Sequence, residues 1–410
     1  MGAFNEGCHS APFAPLPLRY TLLAIPHKAS IRLVLAILAW CLSWSCVRED
    51  TDELAPGVVY REIYLPEGPW RIHMVEVDLP RSWAAGIRVR TAKQEEAQKT
   101  SSLASGALAA INGDFLFPGE SNQPAGLYIE SGNLIRIPQR RSAFAITEAG
   151  QPLIAVYKME LGLLTAEGEQ LHVAGFNREP TLGELSVFNE RAHVQGDSLQ
   201  AATGFLLQGL GNTSIANDTI SVWVQQVRRE AWPLSLQRDQ WLLAADAEYE
   251  ATEQIALGDT VQLYCRLLPA RAKLMEAISG GPRILRDGAV SIEVEQERLS
   301  RGFADKRHPR TAIGYSQDEQ VLFMIVVDGR QPGYSVGMSL QELAEFMCTR
   351  LAEFSRAKAN AYQGLNLDGG GSTTMVVDEQ VINRPSDPTG ERPVVNALLV
   401  VSDTRDEERP

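Results

Sequence analysis

Basic tracts are missing from this chain: 38 Lys and Arg stand against 51 Asp and Glu, for a formal net charge of −13. Nucleic-acid binding relies on clustered Lys and Arg to neutralise phosphates, so the balance argues against nucleic acid as a partner. Cysteine is scarce, with 5 in 410 residues and no CxxC or Cys/His spacing, which leaves no pattern for a zinc site. Cys265 falls in an expected strand and Cys348 in an expected helix, so both read as packing residues rather than a disulfide pair. No internal period of roughly 20 to 50 residues stands out to mark a repeat architecture. Leu33 to Leu42, an apolar run, is shorter than the ~20 residues that span a bilayer comfortably.

What is present is an ordinary globular composition, 44% hydrophobic and 22% charged, with enough apolar content for one large domain or two. Lys28 and Arg32 precede the apolar run, and Ser43-Trp44-Ser45-Cys46 follows it. Basic residues before such a run and small residues after it read as an export signal over residues 1–45. A Cys at its end resembles a bacterial lipoprotein processing site, with Cys46 as the lipidated residue and the cell envelope as the destination. A plain cleaved signal or a single membrane anchor is the alternative. Residues 46–57 read as an acidic, Pro-containing linker, 58–402 as the folded domain and 403–410 as a charged tail.

Within the domain, Val58 to Leu65 and Arg71 to Leu79 alternate around Pro66-Glu67-Gly68-Pro69 as a hairpin. Thr100 to Ala109 suits a short helix leading into a buried strand, Ala109-Ala110-Ile111. From about Gly126 to Leu268 short strands follow one another with turns between, punctuated by polar residues such as His193 that carry no evident chemistry. Val321 to Val327 is continuously apolar and β-branched, as a central strand buried on both faces would be. Ser339 and Glu342 form a capping box, and Leu340, Leu343, Ala344, Met347 and Leu351 then recur at helical spacing. The fold class is α+β, a β-rich mixed-sheet core with a few packed helices.

Three buried strands end at a carboxylate beside glycine, in Asn112-Gly113-Asp114, Val327-Asp328-Gly329-Arg330 and Leu367-Asp368-Gly369-Gly370-Gly371-Ser372-Thr373. Taken singly, each is a hairpin turn or a bend. Their recurrence is less easily set aside, because strand ends of one sheet share an edge and their groups converge on one cleft. Three successive glycines let backbone N–H groups approach an anion closely. Ser279-Gly280-Gly281-Pro282 is a second glycine turn, and Arg307-His308-Pro309-Arg310-Thr311 supplies cations suited to phosphate or carboxylate.

Together these segments, with Asp287-Gly288, Ser335-Val336-Gly337-Met338 and Asn366, resemble the successive signatures of the phosphodiester glycosidase family, in order, over roughly residues 58–402. The resemblance implies cleavage of a sugar from a phosphodiester through an oxocarbenium-like transition state. It implies Asp328 and Asp368 as the carboxylates. Arg310 and Arg330 stabilise phosphate together with the Gly369, Gly370 and Gly371 amides, and His308 is a secondary acid or orienter. Asn112, Asp114, Gly280, Gly281, Thr311, Asn366, Ser372 and Thr373 are the implied substrate-binding positions. The resemblance singles out no cofactor, and a divalent metal, Ca or Mg, bridging carboxylate and phosphate is compatible with this chemistry. The partners implied are a glycan phosphodiester substrate and, through Cys46, a membrane. A non-catalytic surface glycan-binding protein or an exopolysaccharide-processing accessory is the alternative function.

Overall fold

The computed structural model describes residues 50–116, 122–192, 198–199, 203–229, 232–233 and 235–403. The expected export signal, Cys46, His193 and the tail beyond residue 403 lie outside the described residues. Among those described, the chain is strand-rich, with short helices.

The expected hairpin is present, Val58–Leu65 pairing antiparallel with Trp70–Asp78 from Leu65↔Trp70 to Val58↔Val77. It is the start of an eight-stranded sheet. Trp70–Asp78 next pairs with Val321–Val327, which pairs with Arg310–Tyr315, then Gln363–Asn366, then Arg283–Arg286. Val321–Val327 is buried along its whole length, as its unbroken apolar run requires, although its neighbours are antiparallel. The stretch read as a linker contains an additional edge strand, Asp50–Ala55, paired with Val58–Leu65. Its acidic sequence suits an edge position, while Leu54 and Ala55 pack against the core.

This sheet is covered on both faces. On one side the capped helix Leu340–Glu345 and its continuation to Phe354 bury Leu340, Leu343, Ala344, Met347 and Leu351 against Ile72, Met74, Phe323 and Ile325. The Ser339 and Glu342 capping bonds are both made. On the other side Val75, Ile313, Met324 and Leu365 meet Ile111, Leu398 and Val400 from a five-stranded sheet and Phe144 and Ile278 from another. That first five-stranded sheet contains Ala109–Asn112, Met375–Val377 and the closing strand Ala397–Ser402.

The strands expected between Gly126 and Leu268 are present, but they divide. Ser142–Thr147 and Pro152–Val156 stay in a five-stranded sheet, while Asp218–Arg228 and Thr260–Leu268 join a separate eight-stranded sheet with its own core, including Leu163, Val222 and Leu263.

Candidate active site

Antiparallel pairing places the end of Val321–Val327, the start of Arg310–Tyr315 and the end of Gln363–Asn366 at one edge, with Arg310 opposite Val327 and Ala312 opposite Asn366. The second sheet arrives at the same place through Asn112. Its Nδ2 donates to the Asp368 carbonyl at 2.7 Å, and its Oδ1 accepts the Thr311 hydroxyl at 2.7 Å and the Thr374 N–H at 3.1 Å. The Asp368 N–H donates to the Gly113 carbonyl at 2.9 Å, and the Gly370 N–H to the Pro309 carbonyl at 2.9 Å. Asp368 therefore sits between the two sheets. Burial, reinforced by the neighbouring Asp114 carboxylate, pushes its carboxyl up to about 6 against the opposing influence of Ser372, Arg392 and the Gly369 amide.

Gly370 has φ +66°, a conformation that disfavours side chains. A Cβ there would stand 3.0 Å from Arg330 Nη2. Arg330 itself has φ +59°, unusual for a residue with a side chain. It is exposed, with Nε and Nη2 3.4 and 3.3 Å from His308 Nδ1. His308 is held below its ordinary value by burial and then by Arg310, Arg330 and Lys306, so it is neutral at pH 7.

Arg310 is in a different environment. It is wholly buried; Nε donates to the Met338 carbonyl at 2.9 Å, and Nη2 to the Phe303 and Lys306 carbonyls at 2.8 Å each. Burial, then Arg330, brings it down to about 10. Among the described residues neither Arg310 nor Arg330 is ion-paired to a carboxylate.

Asp328 is also enclosed. Its carboxylate accepts from Asn383 Nδ2 at 3.0 Å, the Arg384 N–H at 3.0 and 3.1 Å and the Tyr334 hydroxyl at 3.2 Å, with His73 Nε2 at 3.4 Å. His73 in turn meets the Tyr60 hydroxyl through Nδ1 at 2.9 Å. Asp114, raised by burial, accepts the Phe115 and Gly126 N–H groups at 2.7 and 3.1 Å and the Ser279 hydroxyl.

The remaining expected positions divide between scaffold and cleft. Gly280 and Gly281 lie against the Gln363–Asn366 strand: the Gly281 N–H donates to the Asn366 carbonyl at 2.7 Å, and Asn366 Nδ2 donates to the Gly281 carbonyl at 2.8 Å. Thr311 is engaged by Asn112. Asn366 Oδ1, Thr373 Oγ1 and Thr374 Oγ1 are buried with no hydrogen-bond partner among the described residues, an uncommon state for a buried polar atom. No three His, Cys, Asp or Glu side chains among the described residues group as a metal cage.

Sequence reasoning missed His73, Asn383, Tyr334, Asp387 and Arg392. None carries a local signal, since the first three act through Asp328 from other elements and the last two belong to a proline-rich loop.

A family profile described as phosphodiester glycosidase matches residues 235–401. The N-acetylglucosamine-1-phosphodiester alpha-N-acetylglucosaminidase of Bos taurus is 28% identical over 130 residues, 30% of this chain and 22% of that protein. The chain thus aligns with about a fifth of that relative's length. A solved structure of a hypothetical protein from Synechocystis superposes with a TM-score of 0.60 at 20% identity, covering 86% of this chain and 63% of that one. Another, from Burkholderia pseudomallei K96243, gives a TM-score of 0.54 at 21% identity, covering 82% and 74%. These two likenesses are of fold. The match over residues 235–401 and the curated relative support the resemblance of this chain to the phosphodiester glycosidase family.

Proposed function

We propose that the protein hydrolyses a sugar 1-phosphodiester to free sugar and a phosphomonoester, as an exported enzyme of the cell envelope anchored through Cys46. The observation that carries the reaction is the placement of Asp368, a carboxyl brought to about 6 by burial, on a turn whose Gly370 lies under Arg330, itself 3.3 Å from a neutral His308.

In this reaction the bond from sugar C1 to the phosphate oxygen breaks, its electron pair goes to that oxygen, and water supplies the new C1–O bond. Positive charge develops on the sugar and is stabilised by a carboxylate on one face, as nucleophile or as base for water. Asp368 has that role, ionised at pH 7 yet basic enough to take the proton of water. The phosphate changes from a monoanionic diester to a monoester carrying about −1.5 to −2 at pH 7, so the leaving group needs little protonation. Its growing negative charge favours Arg330 in the transition state over the ground state.

Arg310 contributes its charge from behind the cleft and fixes the Phe303 to Lys306 backbone, and Asp328 holds the loops bearing Tyr334 and Arg384; both are positioning residues in this reading. The test is to offer the purified chain a panel of sugar 1-phosphodiesters and measure released reducing sugar. Binding of glycans with no release from any of them would favour the non-catalytic glycan binder.

A further inference from the structure

The loop over residues 384–393 is pinned at both ends. The Arg384 N–H donates to Asp328, the Arg384 carbonyl accepts Gln331 Nε2 at 2.9 Å, and the Glu391 carboxylate accepts the Ser101 N–H at 3.0 Å and hydroxyl at 2.6 Å. Next to the second anchor, Arg392 donates Nε and Nη2 to Asp387 Oδ2 at 3.0 and 2.7 Å. The pair lies directly on Gly371, where a Cβ would overlap the Arg392 Nη2 and both Asp387 carboxylate oxygens. Close approach, not backbone conformation, is what requires glycine at 371. Arg330 occupies the same relation to Gly370, so two guanidinium groups rest on adjacent residues of the turn that starts at Asp368. The Arg392 charge also acts on the Asp368 carboxyl, holding it down against burial.

The Arg392 and Asp387 side chains are 48% and 24% exposed. Ion pairs this open to water stabilise a fold very little and are readily exchanged. Bidentate recognition of carboxylate and of phosphate uses the same guanidinium fork.

We propose that Arg392 is a specificity-determining phosphate contact and that Asp387 is its removable partner, displaced when an anion settles over Gly370 and Gly371. The proposal rests on the phosphodiester reading for its substrate, but its geometry does not. Without an anion Asp387 neutralises Arg392; with one, Asp387 stands beside a second negative charge and opposes it. The two members of the pair therefore influence anion affinity with opposite signs.

Calorimetric titration of the full chain with inorganic phosphate at pH 7 tests this. Arg392→Ala is expected to weaken binding at least 10-fold, Arg392→Lys by less, and Asp387→Asn to tighten it several-fold. A brace that merely shapes the loop would weaken binding in both Arg392→Ala and Asp387→Asn; that result, an unchanged Arg392→Ala, or no measurable binding by the parent overturns the proposal. Kinetics on sugar 1-phosphodiesters keep the two readings apart. Arg392-dependent phosphate binding with no sugar release refutes the enzymatic reading alone, whereas turnover that Arg392→Ala leaves unchanged in both kcat and KM refutes the Arg392 contact alone.

Discussion

Asn112 donates its side-chain amide to the main-chain carbonyl of Asp368 at 2.7 Å, across 256 residues of sequence. The same side chain accepts from Thr311 and Thr374, so one amide joins the end of one sheet to the turn that carries the proposed catalytic carboxyl. Removing it leaves a buried hydroxyl and a buried N–H without their acceptor. Asn112→Ala is expected to lower unfolding stability by about 2 to 4 kcal/mol, from the cost of buried unsatisfied groups. It should also reduce kcat more than it raises KM. Denaturant unfolding and steady-state kinetics check both; an unchanged midpoint would mean that Asn112 does not join the sheets.

Asp368→Asn is expected to abolish sugar release while stabilising the protein at neutral pH. In the folded state this carboxyl titrates near 6, above its ordinary 3.8, so between those values the folded protein binds more protons than the unfolded chain. Stability from this group is full below about pH 4 and is lost as pH rises through about 6. The Asn variant lacks that loss. It should exceed the parent by about 1 to 3 kcal/mol at pH 7 to 8, with the gap closing below pH 4. Thermal unfolding across pH reads the difference. A gap that grows towards low pH would reverse the assigned direction.

Arg310 and Arg330 should separate cleanly. Arg310→Lys keeps a charge but loses a planar fork bonded to carbonyls of Met338, Phe303 and Lys306. It is expected to cost about 2 kcal/mol or more of stability, with activity falling alongside. Arg330→Ala, at an exposed side chain, should change stability by under about 0.5 kcal/mol yet lower kcat at least 100-fold. Equal stability losses in the two variants would count against the division of roles.

Asp328→Asn turns an amide N–H₂ towards Asn383 Nδ2, the Arg384 N–H and Tyr334, all of which now donate. A loss of about 3 kcal/mol in stability is expected, with the midpoints of the pH–activity profile unmoved in whatever folded fraction remains. A profile that loses its acid limb would instead make Asp328 the titrating catalytic group.

Cys46→Ser is expected to release the protein from the membrane fraction, since a Cys that carries lipid has no substitute in Ser. Fractionation of cells producing either form decides it. An equally membrane-bound Cys46→Ser protein would point to the apolar run before it as the anchor.

Alternation around Pro66 to Pro69, the unbroken run at Val321–Val327 and the Ser339–Glu342 box were legible in the sequence, and each formed the expected element. These signals are local, arising from which face a side chain takes and which N–H a cap can reach. That strands end near Asp114, Asp328 and Asp368 was legible for the same reason, because a strand end followed by carboxylate and glycine is written in consecutive residues; that the strand before Asp114 belongs to a second sheet, and not to the edge shared by the other two, was not. Their individual roles were not. As sequence, Arg310 and Arg330 are two arginines at strand ends, and Asp328 and Asp368 two carboxylates before glycine. Desolvation separates them: helix and loop carbonyls close over Arg310, and donors from Asn383, Arg384 and Tyr334 surround Asp328. Asp368 instead retains partial exposure between two sheets, beside another carboxylate. Burial and charge around a side chain are sums over atoms that distant segments bring near it, so only the tertiary structure decided which of these groups are enclosed and which are exposed.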